Sequence, residues 1–395
     1  MQHHMTMNRL PPHSILPLSL FFFLAAGFSL QRVSSLSSSS SPQMKYSYQP
    51  DKNYDMHITS LHRYAVKGLS GDSINSVTLQ EGDGTFEDDR RFALLYAGDK
   101  KNNFDQKHPQ WLHKDNFLCA FTAPELLATL RTEYEVDSSD GRRLLTVWSR
   151  LDNSRQSSST PLLIADLACQ AGRDEASTFF SDLCGKKVVC VCASDITKSQ
   201  NNHDDNGDSG KTKLSGKHTH QFGNTSSGVK NNNDTRTIHI VNHNTAKQFS
   251  NMIQHELKQK YNEGVDGCDN ELDSIQLNPT RFRPNVVVDG LEPWLEFDLI
   301  GKTIEVVPNQ DNNTEGDQSQ RHPLRFRITS RTVRCAGIGV DPLQPELPAF
   351  DIPKLLTKHF PQHGPYLGVY AVVDQDNGCS GGQICVGDKF RVLDE

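Results

Sequence analysis

The chain has few hydrophobic residues for its length. Only 35% of its 395 residues are hydrophobic, and the mean hydropathy is −0.58. Burial of apolar surface has to offset the entropy of ordering the backbone, and a chain this polar does not pack along its whole length. We therefore expect one part to form cores and another to lie in tails or inserts. Collagen, coiled-coil and multi-span membrane architectures are excluded by the same composition.

The chain also lacks an excess of basic residues. It carries 48 acidic and 41 basic residues, a formal net charge of −7, and its first 50 residues contain three basic residues but no Asp or Glu. The remainder therefore carries a charge of about −10. Affinity for nucleic acid comes mainly from Lys and Arg on phosphates, so this acidic body argues against a nucleic-acid partner.

Several common catalytic signatures are missing from the sequence. It contains no P-loop, no GxGxxG after a predicted strand, and no HExxH or CxxC. ATP-driven enzymes, simple dinucleotide enzymes and zincins are therefore not the first hypotheses. Nine cysteines, an odd number at irregular spacing, favour reduced thiols and an intracellular or organelle interior.

The N-terminal segment has the pattern of a presequence. Ile15–Leu30 is uncharged over 16 residues, and a serine-rich stretch, Ser34–Ser41, follows it. A membrane span needs about 20 apolar residues, so this length is typical of a signal core instead. We predict that residues 1–52 are a cleaved presequence for an organelle, a plastid or a mitochondrion. The alternative is a retained signal anchor, which would be the chain's one contact with a membrane.

Two later segments, 198–233 and 310–320, are so polar that we expect them to be inserts. Without them and the presequence about 296 residues remain, enough for two domains. Short strand-like segments dominate this remainder. They predict a mixed, predominantly β fold: a β-barrel-like domain at 53–160 and a second β-barrel domain with a few helices at 161–395.

Two stretches of the second predicted domain suggest chemistry. In Arg281–Gly290 two arginines flank a phenylalanine before a proline and an apolar strand, which suits a guanidinium held to bind phosphate or carboxylate. In Thr332–Pro342 a cysteine follows a strand beside Arg334 and precedes Gly-x-Gly, as a thiolate ligand of a soft metal would. A surface ion pair and a small buried thiol remain open as alternatives.

Taken with Gly364–Ala371 and Gly382–Asp388 near the C-terminus, these segments resemble the MOSC family, the C-terminal domain of molybdenum cofactor sulfurases. Upstream, Tyr64–Gly71 and Asp89–Leu94 resemble the N-terminal β-barrel domain that accompanies it. Within this family the segments resemble the functional type of the mitochondrial amidoxime reducing component and its bacterial relatives.

The resemblance implies a molybdenum–molybdopterin cofactor and a set of residues around it. Cys335 falls on the metal-ligating and catalytic cysteine. Six further residues fall on positions that contact the cofactor or orient its loop: Lys67, Arg90, Arg283, Asn242, Thr245 and Asn285. Three departures from the family pattern leave the substrate open, namely Gly68 and Val333 in place of serines, and Gln106 or Lys107 in place of an arginine.

The resemblance predicts an oxidoreductase that reduces N-hydroxylated or N-oxide small molecules. Its electrons would come from a haem protein and a flavin reductase, because no second redox motif occurs in the chain. Pyridoxal phosphate is not expected, because no catalytic domain for it precedes the barrel domains. The alternatives are a non-catalytic carrier of the cofactor or of sulfur, and a cofactor-free barrel that serves interaction.

Overall fold

A computed structural model describes residues 54–80, 83–98, 112–137, 139–150, 160–193, 221–222, 236–262, 277–309, 324–341, 349–374 and 381–393. The predicted presequence, most of segment 198–233 and all of 310–320 lie outside the described residues, as do Gln106 and Lys107. The described residues belong to one compact unit, Tyr46–Glu395. None of their helices is long and apolar enough to cross a membrane.

Fifteen strands occur among the described residues. They are β1 (Met56–Arg63), β2 (Asp72–Ile74), β3 (Ser76–Gln80), β4 (Phe92–Tyr96), β5 (Leu130–Val136), β6 (Arg143–Ser149), β7 (Leu163–Asp166), β8 (Val188–Cys192), β9 (Ile238–Asn242), β10 (Val286–Asp289), β11 (Thr303–Val307), β12 (Arg325–Val333), β13 (Tyr366–Val373), β14 (Gly381–Cys385) and β15 (Lys389–Leu393). Four α-helices accompany them: α1 (Pro124–Ala128), α2 (Gln170–Cys184), α3 (His243–Asn262) and α4 (Ile352–His359).

Seven strands close into a barrel. Their order is β10-β9-β13-β12-β11-β15-β1, and β1 pairs with β10 to complete the ring. The β9–β10 pair is parallel, and α3 and the segment after it make the crossover that such a pair requires. Apolar side chains fill the interior, among them Val241, Val288 and Phe326. The predicted predominantly β fold with a barrel and few helices is confirmed.

The N-terminal part of the chain contributes to the barrel as well as to its own core. β1 lies in the barrel between β10 and β15, and β3 pairs with β14. A second core joins the pair β4–β8, the sheet β5-β6-β7 and α2, with Phe92 and Phe180 fully buried in it. Because this core includes β8, the predicted boundary at residue 160 falls within it. The local sequence does not reveal this boundary, because β4 pairs with β8 about 95 residues further along the chain.

Three predicted elements differ from the structure. The leucine spacing in Pro124–Glu135 predicts a helix, with a strand as the alternative; the helix ends at Ala128, and from Leu130 onward alternate side chains are buried, as in a strand. A strand over Glu296–Val307 begins only at Thr303, after a 3₁₀ helix at Leu295–Leu299. A strand over Thr332–Val340 ends at Val333, and the chain continues into a short 3₁₀ helix at Ala336–Ile338.

Part of the segment predicted to be an insert belongs to the interior. Gln221 and Phe222 are 1% and 2% exposed. The Gln221 amide donates to Asp89 at 2.6 Å, and the ring of Phe222 packs edge-on to that of Phe117. The sequence does not predict that these two residues are buried, because one aromatic residue in a long hydrophilic segment does not form a periodic pattern.

A buried carboxyl group joins the start of α3 to the 3₁₀ helix before β11. Glu296 is 1% exposed, and its Oε2 accepts hydrogen bonds from Asn242 at 3.1 Å and from Thr245 at 2.9 Å. Its Oε1 is buried without a hydrogen-bond partner in the described part of the chain. Burial raises the pKa of Glu296 to about 7, because a charged carboxylate is poorly solvated there.

We predict that Glu296→Gln removes a pH-dependent loss of stability. The folded-state pKa of about 7 lies above the unfolded value of about 4.5, so stability present at low pH is lost as the pH rises through 7. Between pH 5 and pH 8 the wild type should lose about 2 kcal/mol that the variant keeps, as measured by urea unfolding. Glu305→Gln is the matched control. Arg325 and Arg391 lower the pKa of Glu305 in the folded protein, so the charged carboxylate stabilises the wild type above the unfolded pKa of a glutamate. Glu305→Gln should therefore be less stable than the wild type in that pH range. Parallel pH profiles for wild type and Glu296→Gln would contradict the prediction.

Candidate functional site

Two arginines from distant parts of the sequence adopt left-handed backbone conformations and contact each other. The φ angles of Arg90 and Arg283 are 52° and 55°. The Arg90 guanidinium donates to the carbonyl of Arg283 at 3.2 Å and to Oδ1 of Asn285 at 3.4 Å. Such a conformation costs a residue with a Cβ of the order of 1 kcal/mol, and it persists where the surrounding structure imposes it.

Local sequence explains both turns. The side chain of Asn278 caps a short 3₁₀ helix, Pro279–Phe282, which ends at Arg283. On the other segment, the backbone N–H of Arg90 donates to the carbonyl of Tyr64 at 2.7 Å. Both turns therefore place an arginine side chain beside the loop that follows β1.

The ring of Tyr64 lies within cation–π distance of both guanidinium groups. Its ring is 4.3 Å from the Arg283 guanidinium carbon and 5.5 Å from that of Arg90, and it is 2% exposed. The face of an aromatic ring attracts cations, so this ring stabilises both charges without neutralising either. Arg283 also donates to the carbonyl of Leu69 at 2.6 Å.

Two more cations complete what we call the cation cluster: Lys67, Arg90, Arg283 and Arg334. The Lys67 ammonium lies 4.9 Å from the ring centre of Phe117. Arg334 is 9% exposed and donates to the carbonyl of Phe282 at 2.8 Å. The sequence places Arg334 beside the candidate cysteine but does not by itself give it a role at the site.

The charges of the cluster perturb one another. Burial lowers the pKa of Lys67 to about 8, and repulsion from Arg90 and Arg283 adds to this shift. Burial likewise lowers the pKa of Arg283 to about 10. Among the described residues, Asp89 is the carboxylate that forms an ion pair with the cluster, through Arg90. The cluster therefore keeps an excess of positive charge in a partly buried place, which is costly unless an anion binds there.

Cys335 is exposed at the edge of this cluster. It follows β12 and precedes the 3₁₀ helix Ala336–Ile338. Both Lys67 and Arg334 interact electrostatically with its thiol. The structure thus brings four predicted residues from four separate segments of the sequence into one place: Lys67, Arg90, Arg283 and Cys335.

The donor set fits an anionic cofactor with a soft metal. Nη2 of Arg283 and Nε of Arg334 are buried without a hydrogen-bond partner within the described ranges, although such groups are normally paired. A phosphate supplies the acceptors they lack, and the exposed Cys335 thiol is a ligand of the type that soft metals prefer. No group of three His, Cys, Asp or Glu side chains suited to a metal ion occurs in the described part of the chain.

The three remaining predicted residues are fully buried. Asn285 Oδ1 accepts from the N–H of His239 at 3.0 Å as well as from Arg90, so it links β9 to the Arg90 segment, and its role toward a cofactor stays a prediction. Asn242 and Thr245 donate to Glu296 instead of turning toward the cation cluster. Their role as cofactor contacts stays a prediction, and the structure gives them a position at the start of α3.

A second thiol, which the sequence did not point to, lies beside Lys67. A Cβ built on Gly68 would lie 2.6 Å from Cα of Cys119 and 2.8 Å from its Cβ. Residue 68 therefore has no room for a side chain, since the Cys119 segment occupies that space, and its φ of +91° is one that residues with a Cβ rarely adopt. Two residues on, Phe121 packs within 3.2 Å of a Cβ built on Gly337, so the segment Cys119–Phe121 also contacts the Cys335 loop.

The other thiols are consistent with core packing. Cys190 and Cys192, two residues apart on β8, are 3% and 2% exposed and lie in the second core. Burial raises the pKa of Cys190 to about 12, which keeps it a neutral thiol. Val333, the other departure from the family pattern, is 49% exposed and lies two residues before Cys335.

Comparison with known proteins finds a family model that covers the C-terminal residues of this site. The family model of the MOSC domain matches residues 218–391, a range that includes Arg283, Arg334 and Cys335. No curated protein matches the chain. Lys67 and Arg90 lie outside the matched range, and the fold brings them to the same place. Residues 218–391 are therefore similar to the MOSC domain, in agreement with the resemblance of the sequence motifs in this part of the chain.

Proposed function

We propose that this protein is a molybdenum-cofactor-dependent oxidoreductase that reduces N-hydroxylated or N-oxide compounds, as the amidoxime reducing component does. MOSC domains are known as molybdenum cofactor sulfurase-like domains and are associated with binding of that cofactor. The observation that carries the proposal is the cation cluster, Lys67, Arg90, Arg283 and Arg334, gathered around an exposed Cys335.

Each residue has a defined part in this proposal. Cys335 would ligate the molybdenum, and the unpartnered guanidinium nitrogens of Arg283 and Arg334 would bind the phosphate of the pterin. Tyr64 and Asn285 hold the two left-handed arginine turns in place. Partial burial strengthens every one of these electrostatic interactions, because little water screens them.

The bound cofactor would supply two-electron redox chemistry at a sulfur-ligated metal. Two electrons and two protons convert an N–OH group to N–H and water, so the overall reaction needs an electron donor. We propose a haem protein with its flavin reductase as that donor. Because Cys335 is exposed, a small molecule can approach its sulfur from solvent. We further propose an organelle location through the N-terminal segment.

Replacement of Cys335 by serine should abolish molybdenum binding. A serine hydroxyl stays protonated at neutral pH and is a hard ligand, so it does not replace a thiolate at a soft metal. Protein made in a molybdenum-competent host should contain about one molybdenum per chain, and Cys335→Ser less than a tenth of that by elemental analysis. Cys184→Ser, at the end of α2, is the matched control and should keep the metal. Full activity or full metal content in Cys335→Ser would refute the assignment.

Loss of the Arg283 guanidinium should weaken retention of the cofactor. Arg283→Ala removes a buried cation with an unpartnered donor, and one charge-assisted hydrogen bond to phosphate contributes about 1.5–3 kcal/mol. We expect at least tenfold weaker retention, followed by the fluorescence of the oxidised pterin released on dialysis. Arg131→Ala, an exposed arginine on β5, should behave as wild type. Equal retention in both variants would contradict the proposed phosphate site.

The same experiments distinguish an oxidoreductase from a non-catalytic carrier of the cofactor. If the protein binds molybdenum and pterin but reduces no N-hydroxylated compound with any electron donor, it is a carrier of the cofactor or of sulfur. The exposure of Cys335 does not decide between these functions, since both need an accessible metal.

A further inference from the structure

Arg281 is not a member of the cation cluster, although the sequence marks it as a guanidinium held for an anion. It is 2% exposed, and its partners lie in residues 334–341, the Cys335 loop. Nε donates to the carbonyl of Ile338 at 2.9 Å, Nη1 to Oδ2 of Asp341 at 3.2 Å, and Nη2 to the carbonyl of Gly339. One guanidinium therefore holds three successive acceptors of the loop that carries the thiol.

A second contact joins the same two segments in the opposite direction. Arg334, at the start of the Cys335 loop, donates through Nη2 to the carbonyl of Phe282 at 2.8 Å. Phe282 lies between Arg281 and Arg283 and is fully buried. The loop is thus bound to one short turn on both sides of Cys335, through Arg334 before the thiol and through Arg281 after it.

Two close backbone contacts leave the Cys335 loop little room to move. A Cβ built on Gly337 would lie 3.2 Å from Cα of Phe121, and one built on Gly339 would lie 2.8 Å from the carbonyl oxygen of Phe350. The N–H of Phe350 also donates to the carbonyl of Gly339 at 2.9 Å. The Gly-x-Gly sequence after Cys335 therefore allows the loop to pack closely between two other segments.

The turn that holds the Cys335 loop also carries Arg283. Within the described residues Arg283 has a guanidinium nitrogen without a partner, which suits a phosphate, and Cys335 exposes a thiol, which suits a metal. A ligand anchored at two points binds more tightly when the anchors are held at the matching separation, because the second contact is then intramolecular. The contacts of Arg281 help to fix that separation.

We propose that Arg281 is a positioning residue, which holds the Cys335 thiol at the separation from Arg283 that the two ends of the cofactor require. Its guanidinium is occupied by the Cys335 loop, so it acts through that loop and not by contact with the cofactor. A lysine does not replace it, because an ammonium group lacks the planar fork that serves acceptors at fixed directions. This inference rests on the proposed function and adds to it the residue that links the two anchors.

The test compares alkylation of Cys335 in the full chain with and without bound cofactor. Iodoacetamide reacts with a free thiol but not with one bound to a metal, and mass spectrometry of the Cys335 peptide gives the rate. We expect bound cofactor to slow alkylation of the wild type at least tenfold. In Arg281→Lys the slowing should fall below twofold, after correction for the fraction of chains that retain the pterin.

Arg173→Lys is the matched control. Arg173 is 4% exposed and likewise donates to a backbone carbonyl, that of Leu167 at 2.8 Å, but it lies at the second core. This variant makes the same substitution of a buried arginine away from the site, so the slowing of alkylation should equal that of the wild type. A readout that compares loaded with cofactor-free protein does not change when a substitution only lowers the stability of the fold.

Replacement of a buried arginine can also prevent folding. Arg281→Met combined with Asp341→Asn removes both charges of the buried pair, so that neither stays buried without its partner. Circular dichroism shows which of the two Arg281 variants is folded, and that variant enters the comparison. The double variant should show the same loss of protection at Cys335 as Arg281→Lys.

The possible results separate the two proposals. Wild-type slowing of alkylation in a folded Arg281 variant overturns the positioning role and leaves the proposed function standing. If the wild type itself binds no molybdenum, the proposed function fails. In that case, or if the variant retains no cofactor, hydrogen exchange in cofactor-free protein decides. The N–H groups of Arg334 and Phe350 should exchange at least tenfold faster in the variant than in the wild type, and equal rates overturn the positioning role.

Discussion

Electrostatic repulsion among four cations is the constraint on which the site depends. Two like charges a few Å apart repel by about 4 kcal/mol at an effective dielectric constant of about 20. The protein offsets this repulsion with the Asp89 carboxylate, the face of the Tyr64 ring and a few backbone carbonyls. None of these contacts removes the excess charge. An empty site is therefore electrostatically unfavourable, and a bound anion relieves it.

The fold makes this arrangement by joining segments that are far apart in the chain. β1 lies in the barrel next to β10, so the loop after β1 reaches the turn before β10. Arg90, on the segment leading to β4, then bridges this turn through the carbonyl of Arg283. The second core holds β4 in place through its pairing with β8. The rigidity of two hydrophobic cores thus fixes the positions of charges that would otherwise separate.

The resemblance to the MOSC family implied a shared site for Lys67, Arg90, Arg283 and Cys335, because these residues fall on the family's cofactor positions. It did not predict the site roles of Tyr64, Arg334 or Cys119, whose contributions come from contacts across the fold. Asn242 and Thr245 have polar side chains at a strand–helix junction, and such residues satisfy buried carboxyls as readily as ligands. The helix predicted over Pro124–Glu135 failed because the alternation from Leu130 outweighed the helical spacing before it.

The close approach of Gly68 to Cys119 restricts which residue can occupy position 68. A serine there requires that the Cys119 backbone withdraw, because side-chain rotation cannot relieve a contact with a Cα atom. The serine would also have to adopt a φ of +91°, which residues with a Cβ rarely do. Since the 119–121 segment also packs on Gly337, a larger residue at position 68 would shift the Cys335 loop as well.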